Sequence, residues 1–212
     1  MRNFEKENKK PLKVKKCKNC LCAFQPFNPL QYICCPSCAV IYNKKLEAKK
    51  IDVKVKEMKD GLKGLKEYKK DLEVEINTIV RLIDKGCDCI SCNSKGNSAG
   101  HFHSVAANGS IRYNLHNLHL QEYSCNGEKG GNVIKYGAGL IYVYGKEYKE
   151  YVEYDLVRLY PEIKLSLHEI KEAIKKARNV VKILKVEDKE YSPKERLQKR
   201  NFFNKVIGIY KF

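Results

Sequence analysis

Four of the chain's five histidines, His101, His103, His116 and His119, fall within nineteen residues of one another. They lie in the stretch GHFHSVAANGSIRYNLHNLHLQEYSCN, Gly100 to Asn126, beside Asn117, Cys125 and Asn126. Imidazoles at this density can take a proton from a reacting water or ligate a metal through a ring nitrogen. Asparagine offers a neutral oxygen ligand and a hydrogen-bonding partner that orients a ring. His101 and His103 are two apart, which puts them on one face if the segment is a strand. By the same alternation His116 falls on the face opposite Asn117. His168 stands alone, in what reads as the first turn of a helix.

The second chemistry is thiolate ligation. Cys17 and Cys20 form a CxxC, and Cys34, Cys35 and Cys38 follow about fifteen residues on. A CxxC wraps backbone around a metal so that two sulfurs take adjacent corners of a tetrahedron, and a second pair completes it. Cys38 pairs either with Cys34 as CxxxC or with Cys35 as CxxC, so the zinc set is Cys17, Cys20, Cys38 and one of the two, with Cys34 favoured. A second group holds Cys87, Cys89, Cys92 and Cys125; Cys125 lacks a CxxC partner because Glu122 stands where one is expected. Its fourth ligand is then Cys87 or Glu122, unless the group holds no metal at all. The start MRNFEKENKKPLKVKK is charged and has no apolar core, so it reads as no secretory signal. A reducing, cytoplasmic setting is therefore expected, where clustered cysteines bind zinc rather than pair as disulfides.

These residues need elements to hold them. The chain divides into a basic flexible tail (1–16), a cysteine knuckle (17–42), a charged helical segment (43–86), a central site region (87–145) and a helical C-terminal region (146–212). Met58, Leu62, Leu65, Leu72, Ile76, Ile79 and Ile83 recur at steps of three, four or seven, which makes one helical face. That face suits packing within the chain or a short coiled-coil homodimer. Gly61 and Gly64 predict a break in the helix. HFHSVAA and SIRYNL read as short strands, and GNVIKYGAGLIYVYG as a buried helix or strand. Ser166 with Glu169, and Ser192 with Pro193 and Glu195, are helix-starting signatures. The fold class is α+β.

Charge points to the partner. The chain carries a formal net charge of +17. Residues 1–16, 43–73 and 146–212 contribute +5, +4 and +6, whereas 87–145 contributes only +1. A nearly neutral centre flanked by basic arms suits a site held against a phosphate backbone, so nucleic acid is the expected partner ahead of an anionic membrane surface. No apolar run is long enough to cross a membrane, and no membrane partner is expected.

The motifs CISC, AGHFHS, IRYNLHNLHLQ, CN and GN, in this order, resemble the NinG family of lambdoid phages, also called Rap, over roughly residues 17–186. Members of that family look like HNH, or ββα-metal, nucleases that act on branched recombination intermediates such as Holliday junctions. The resemblance implies an HNH-like core in which His101 matches the general base, Asn117 the residue that orients it, and Asn126 a metal ligand. His119 is a further catalytic candidate and His103 a further metal ligand. Arg112 and Lys129 are placed to touch DNA phosphates. It implies Mg²⁺ or Mn²⁺ at the catalytic centre beside one or two structural Zn²⁺ ions, and phage recombination proteins as further partners. The sequence departs from the pattern at Gly100, where many HNH sites carry an acidic metal ligand, and at Glu122, where the family has cysteine. Three functions compete: a nuclease for branched DNA, a zinc-stabilised DNA-binding accessory protein that does not cut, and a general HNH endonuclease.

Overall fold

The computed structural model describes residues 12–210. Most of the expected flexible tail lies outside them. Its last two residues form β1 (Lys15–Lys16), paired antiparallel with β2 (Ala23–Phe24). The chain forms two compact units with the division at Lys63–Gly64.

The first unit holds the β1–β2 ribbon, the cysteine knuckle and α1 (Pro36–Leu62). The ribbon turns through Leu21, whose φ of 61° lets the Leu21 N–H reach back to the Cys17 carbonyl at 3.0 Å. Pro36 opens α1, where its missing N–H costs no helical hydrogen bond. The helix therefore begins inside the segment read as knuckle, and Cys38 sits in its first turn. Ile41, Ile51, Met58 and Leu62 are exposed on α1.

The second unit begins with α2 (Leu65–Ile83), so the expected break falls at Lys63–Gly64. The Glu67 carboxylate accepts the Gly64 N–H at 3.1 Å, capping the new helix. The apolar stripe thus divides. Its α2 half, with Leu72, Ile76, Ile79 and Ile83, is buried in its own unit against α6 (Leu167–Glu187). Ala173 and Ala177 on the buried face of α6 let the two backbones approach.

Between them lies the central region. β3 (Ser98–His101) pairs antiparallel with β4 (Leu118–Gln121), in a register that sets Gly100 against His119 and His101 against Leu118. IRYNL, read as strand, instead spans two short 3₁₀ turns, Gly109–Ile111 and Leu115–Asn117. A π-helical turn, Ser124–Glu128, leads to α3 (Val133–Tyr144), which resolves the helix-or-strand choice for that segment. α4 (Lys146–Glu150), a π turn (Tyr151–Asp155) and α5 (Leu156–Leu159) follow.

Both serine signatures open helices. Ser166 and Glu169 cap α6 reciprocally, and Ser192 and Glu195 cap α7 (Pro193–Ile207) with Pro193 in its first turn. α7 sends Arg200 into the core, where it meets Asp84 at 2.8 Å and donates to the carbonyls of Leu115 (3.0 Å) and Leu118 (3.2 Å). The other Asp84 contact is the Leu120 N–H at 3.0 Å. These bonds offset part of the cost of burying the charges, and Arg200 Nη1 stays buried without a partner among the described residues. The pair ties α2, β4 and α7 together. Among the described residues no helix is long and apolar enough to cross a membrane.

Candidate functional site

His101 ends β3 and is half buried. Its Nε2 lies 2.9 Å from the Arg112 carbonyl. A carbonyl only accepts, so Nε2 carries the proton and Nδ1 keeps its lone pair. Burial lowers the imidazole's proton affinity, partly offset by the Arg112 carbonyl and the Glu73 charge. His101 is thus neutral near pH 7, with one basic nitrogen. The Arg112 guanidinium is bound to Glu73 on α2 at 2.8 Å, so the phosphate role read for it competes with an ion pair. Lys129, at the end of the π turn, is exposed.

Asn117 acts differently from the direct orientation expected of it. Its Oδ1 accepts the His103 N–H at 2.8 Å and its Nδ2 donates to the His103 carbonyl at 3.0 Å. Fully buried, it pins the end of the hairpin on which His101 sits. The ring of His101 is oriented by the Arg112 backbone, a partner no side-chain motif announces.

His103 and His101 go to separate partners. His103 Nε2 is 3.0 Å from the Val152 carbonyl, leaving only Nδ1 for a ligand. His119 is corrected from catalytic candidate to core residue. It is 1% exposed, with Nδ1 at 2.9 Å from the Tyr136 hydroxyl and Nε2 at 3.3 Å from that of Tyr148. Burial and the Arg200 charge push its pKa well down. Every position of β4 is buried: α2 packs against it, and tyrosines of α3 and α4 surround His119. The tyrosines of YVYGKEYKEY were the signal for this cage. His116 is held likewise, by Tyr148 at 3.1 Å and Asn201 at 2.9 Å.

Gly100 has a steric reason. A Cβ there would stand 1.7 Å from Gln121 Oε1 and 3.0 Å from Asn126 Oδ1. The place where an acidic ligand is expected is therefore filled by two amide oxygens from β4 and the π turn. Gln121 Nε2 donates to Ser91 Oγ at 2.7 Å and the Gly131 carbonyl at 2.8 Å, which fixes Oε1 toward Gly100, buried and without a donor. An orphaned acceptor beside Asn126 Oδ1 fits a hard cation in donor type. Gln121 was missed in the sequence, since LHLQ gives it no distinguishing spacing.

The cysteines assemble in two groups able to hold a metal such as zinc. Cys17, Cys20, Cys34 and Cys38 bring four sulfurs within 4.8 Å of one another. Cys20 and Cys34 are 3.7 Å apart, matching the edge of about 3.8 Å that Zn–S bonds of roughly 2.3 Å require. Burial would raise the Cys17 thiol, but backbone N–H groups around Cys20, Asn19 and Cys34 outweigh it and bring it to about 6. Cys35 lies outside the four-sulfur group, its thiol 3.7 Å from that of Cys34.

The second group contains Cys89, Cys92 and Cys125 only. An antiparallel bridge between Asp88 and Lys95 closes the loop that carries the first two. Cys87 points elsewhere and accepts from Arg196 Nη1 at 2.6 Å, so its assignment as a ligand is corrected. Glu122 turns its carboxylate to the Ser124 hydroxyl and N–H, which hold it below the usual range. Three sulfurs fit zinc with one position left to a ligand from outside the group.

Fold and site thus define an α+β protein with one cysteine group able to hold a metal in each of its two units, the second unit also carrying a hairpin that presents a polarised histidine. The family model described as Bacteriophage Lambda NinG protein matches residues 8–187, and the chain belongs to that family. Protein ninG of Escherichia phage lambda is 29% identical over 162 residues, covering 66% of this chain and 79% of that protein. Protein ninG of Salmonella phage P22 is 28% identical over 150 residues, covering 60% and 74%. No solved structure matches the chain.

Proposed function

We propose that this chain is an endodeoxyribonuclease of HNH type that cuts branched recombination intermediates. The observation that carries the reading is the 2.9 Å contact between His101 Nε2 and the Arg112 carbonyl. It leaves Nδ1 free to take a proton from water. The resulting hydroxide attacks phosphorus, the bond to the 3′ oxygen breaks, and that oxygen takes a proton from solvent. Asn117 holds the hairpin end so that His101 meets the phosphate in one geometry. Asn126 and Gln121 would hold Mg²⁺ or Mn²⁺, which when bound supplies positive charge beside the scissile phosphate. Both donors are neutral, so the phosphate itself must bring the negative charge that a carboxylate supplies elsewhere. Lys129 and the basic arms draw the DNA backbone, and Zn²⁺ in the cysteine groups has a structural role. The preference for four-way junctions rests on the family resemblance alone, as do phage recombination partners in a host cytoplasm. A homodimer would pair two cuts.

The second reading is a zinc-stabilised DNA-binding accessory protein without cleavage. It is favoured by the absence of any carboxylate-containing metal group among the described residues. Cleavage of a labelled four-way junction beside a linear duplex, in Mg²⁺ or Mn²⁺, separates the readings. We expect junction cutting that falls by at least about 10²-fold in His101→Ala. Tight binding without cutting in either metal selects the accessory protein, and equal cutting of both substrates selects a general HNH endonuclease.

A further inference from the structure

The orientation of His101 depends on one peptide group, Arg112–Tyr113. Its carbonyl accepts from His101 Nε2 at 2.9 Å, and its N–H donates to the Tyr210 hydroxyl at 3.1 Å. In a trans peptide the C=O and N–H point in opposite directions. A hold on the N–H therefore aims the carbonyl. Tyr210 has a second bond that fixes its own hydroxyl, which donates to the Ser110 carbonyl at 2.9 Å. With its proton committed to Ser110, the phenol oxygen can only accept from Tyr113. Tyr210 is 2% exposed and its ring packs on Tyr160 with centroids 4.9 Å apart. Burial raises its pKa, so it stays a hydroxyl.

We propose that Tyr210 is a positioning residue for the general base, acting through the Arg112–Tyr113 peptide to keep His101 protonated at Nε2 and basic at Nδ1. The proposal rests on His101 being the base. It lies beyond the family likeness, because Tyr210 is outside the matched residues 8–187. Asn204 of α7 holds the same loop further on, accepting the Leu115 N–H at 3.1 Å and donating to Asn114 Oδ1 at 2.9 Å. It does not touch the 112–113 peptide, which makes it the control.

The test compares wild type, Tyr210→Phe and Asn204→Leu. Tyr210→Phe keeps the ring and removes both hydroxyl bonds. The first readout is the ¹⁵N spectrum of the His101 imidazole in the zinc-loaded protein, which needs no DNA. We expect the Nε2–H tautomer in wild type and in Asn204→Leu, and a mixture of tautomers in Tyr210→Phe. The second readout is junction cutting, where we expect kcat to fall about tenfold in Tyr210→Phe with KM unchanged, a fraction of what general-base catalysis supplies. An unchanged tautomer with only a lower melting temperature overturns the proposal. A tautomer shift without any cutting by wild type upholds the hold on His101 and removes the nuclease reading instead. Should Tyr210→Phe not fold, an Nδ1–H tautomer in wild type still overturns the proposal.

Discussion

Gly100 shows how a single missing side chain carries information. The sequence presents it as the loss of an acidic ligand, whereas the structure shows Gln121 and Asn126 already in that space. Gly100→Asp is therefore expected to lower stability, by about 1–3 kcal/mol for an overpacked site, and not to improve metal binding by itself. Gly100→Asp with Gln121→Ala makes room and should recover most of that loss in chemical denaturation. Equal melting of Gly100→Asp and wild type would remove the steric account. The roles given to His101, Asn117 and Asn126 came from the family resemblance, and the structure binds Asn117 to the backbone of His103 rather than to the His101 ring. The partner that polarises His101 was not legible, because a backbone carbonyl has no letter in the sequence.

The elements are tied by a buried ion pair and carry two cysteine groups that could hold a metal. Replacing Asp84 by Asn would leave the Arg200 guanidinium in the core without its counter-charge, since Arg200 is fully buried. The expected cost is about 3–5 kcal/mol, read from urea unfolding. Asp84→Leu with Arg200→Met should recover part of it, because apolar groups need no counter-charge. The cysteine groups should differ in hold on zinc. Four sulfurs converge in the first and three in the second, so a chelator titration should release zinc in two steps, the second group first. Glu122→Cys should slow that first step, and release in one step would count against the three-sulfur reading. The helix caps and the break near Gly64 were legible in the sequence, being local hydrogen bonding. The short 3₁₀ turns in IRYNL were not, since residues with strand propensity there are held by contacts to α7.

At the scale of the whole molecule, the caged histidines set a pH limit. Burial pushes His116 down to about 4 and holds His119 well below the ordinary imidazole range. Unfolded, each titrates near 6.5, so the unfolded chain binds more protons between the folded and unfolded values. Stability is then full above about pH 6.5 and falls as the pH drops toward 4, by roughly 3 kcal/mol for His116 alone. Replacing His116 with Gln should flatten the fall in melting temperature across that window. A fall of the same size in the variant would assign it to other groups. The net charge of +17 acts over longer range. If DNA is the partner, affinity should drop steeply with salt, in proportion to the phosphates neutralised.

What the sequence determined by itself was chemical inventory and local form. Its residue types set the first cysteine group, the capped helices and the basic segments, because each follows from residue type and short spacing. Only the tertiary structure decided which inventory is used. Burial is set by which elements come to cover a segment, and hydrogen-bond partners by residues far away in the chain. Thus His119 is enclosed by tyrosines, Cys87 meets Arg196 across 109 residues, and Tyr210 reaches back 97 residues to Tyr113. Those distances in sequence leave no local trace.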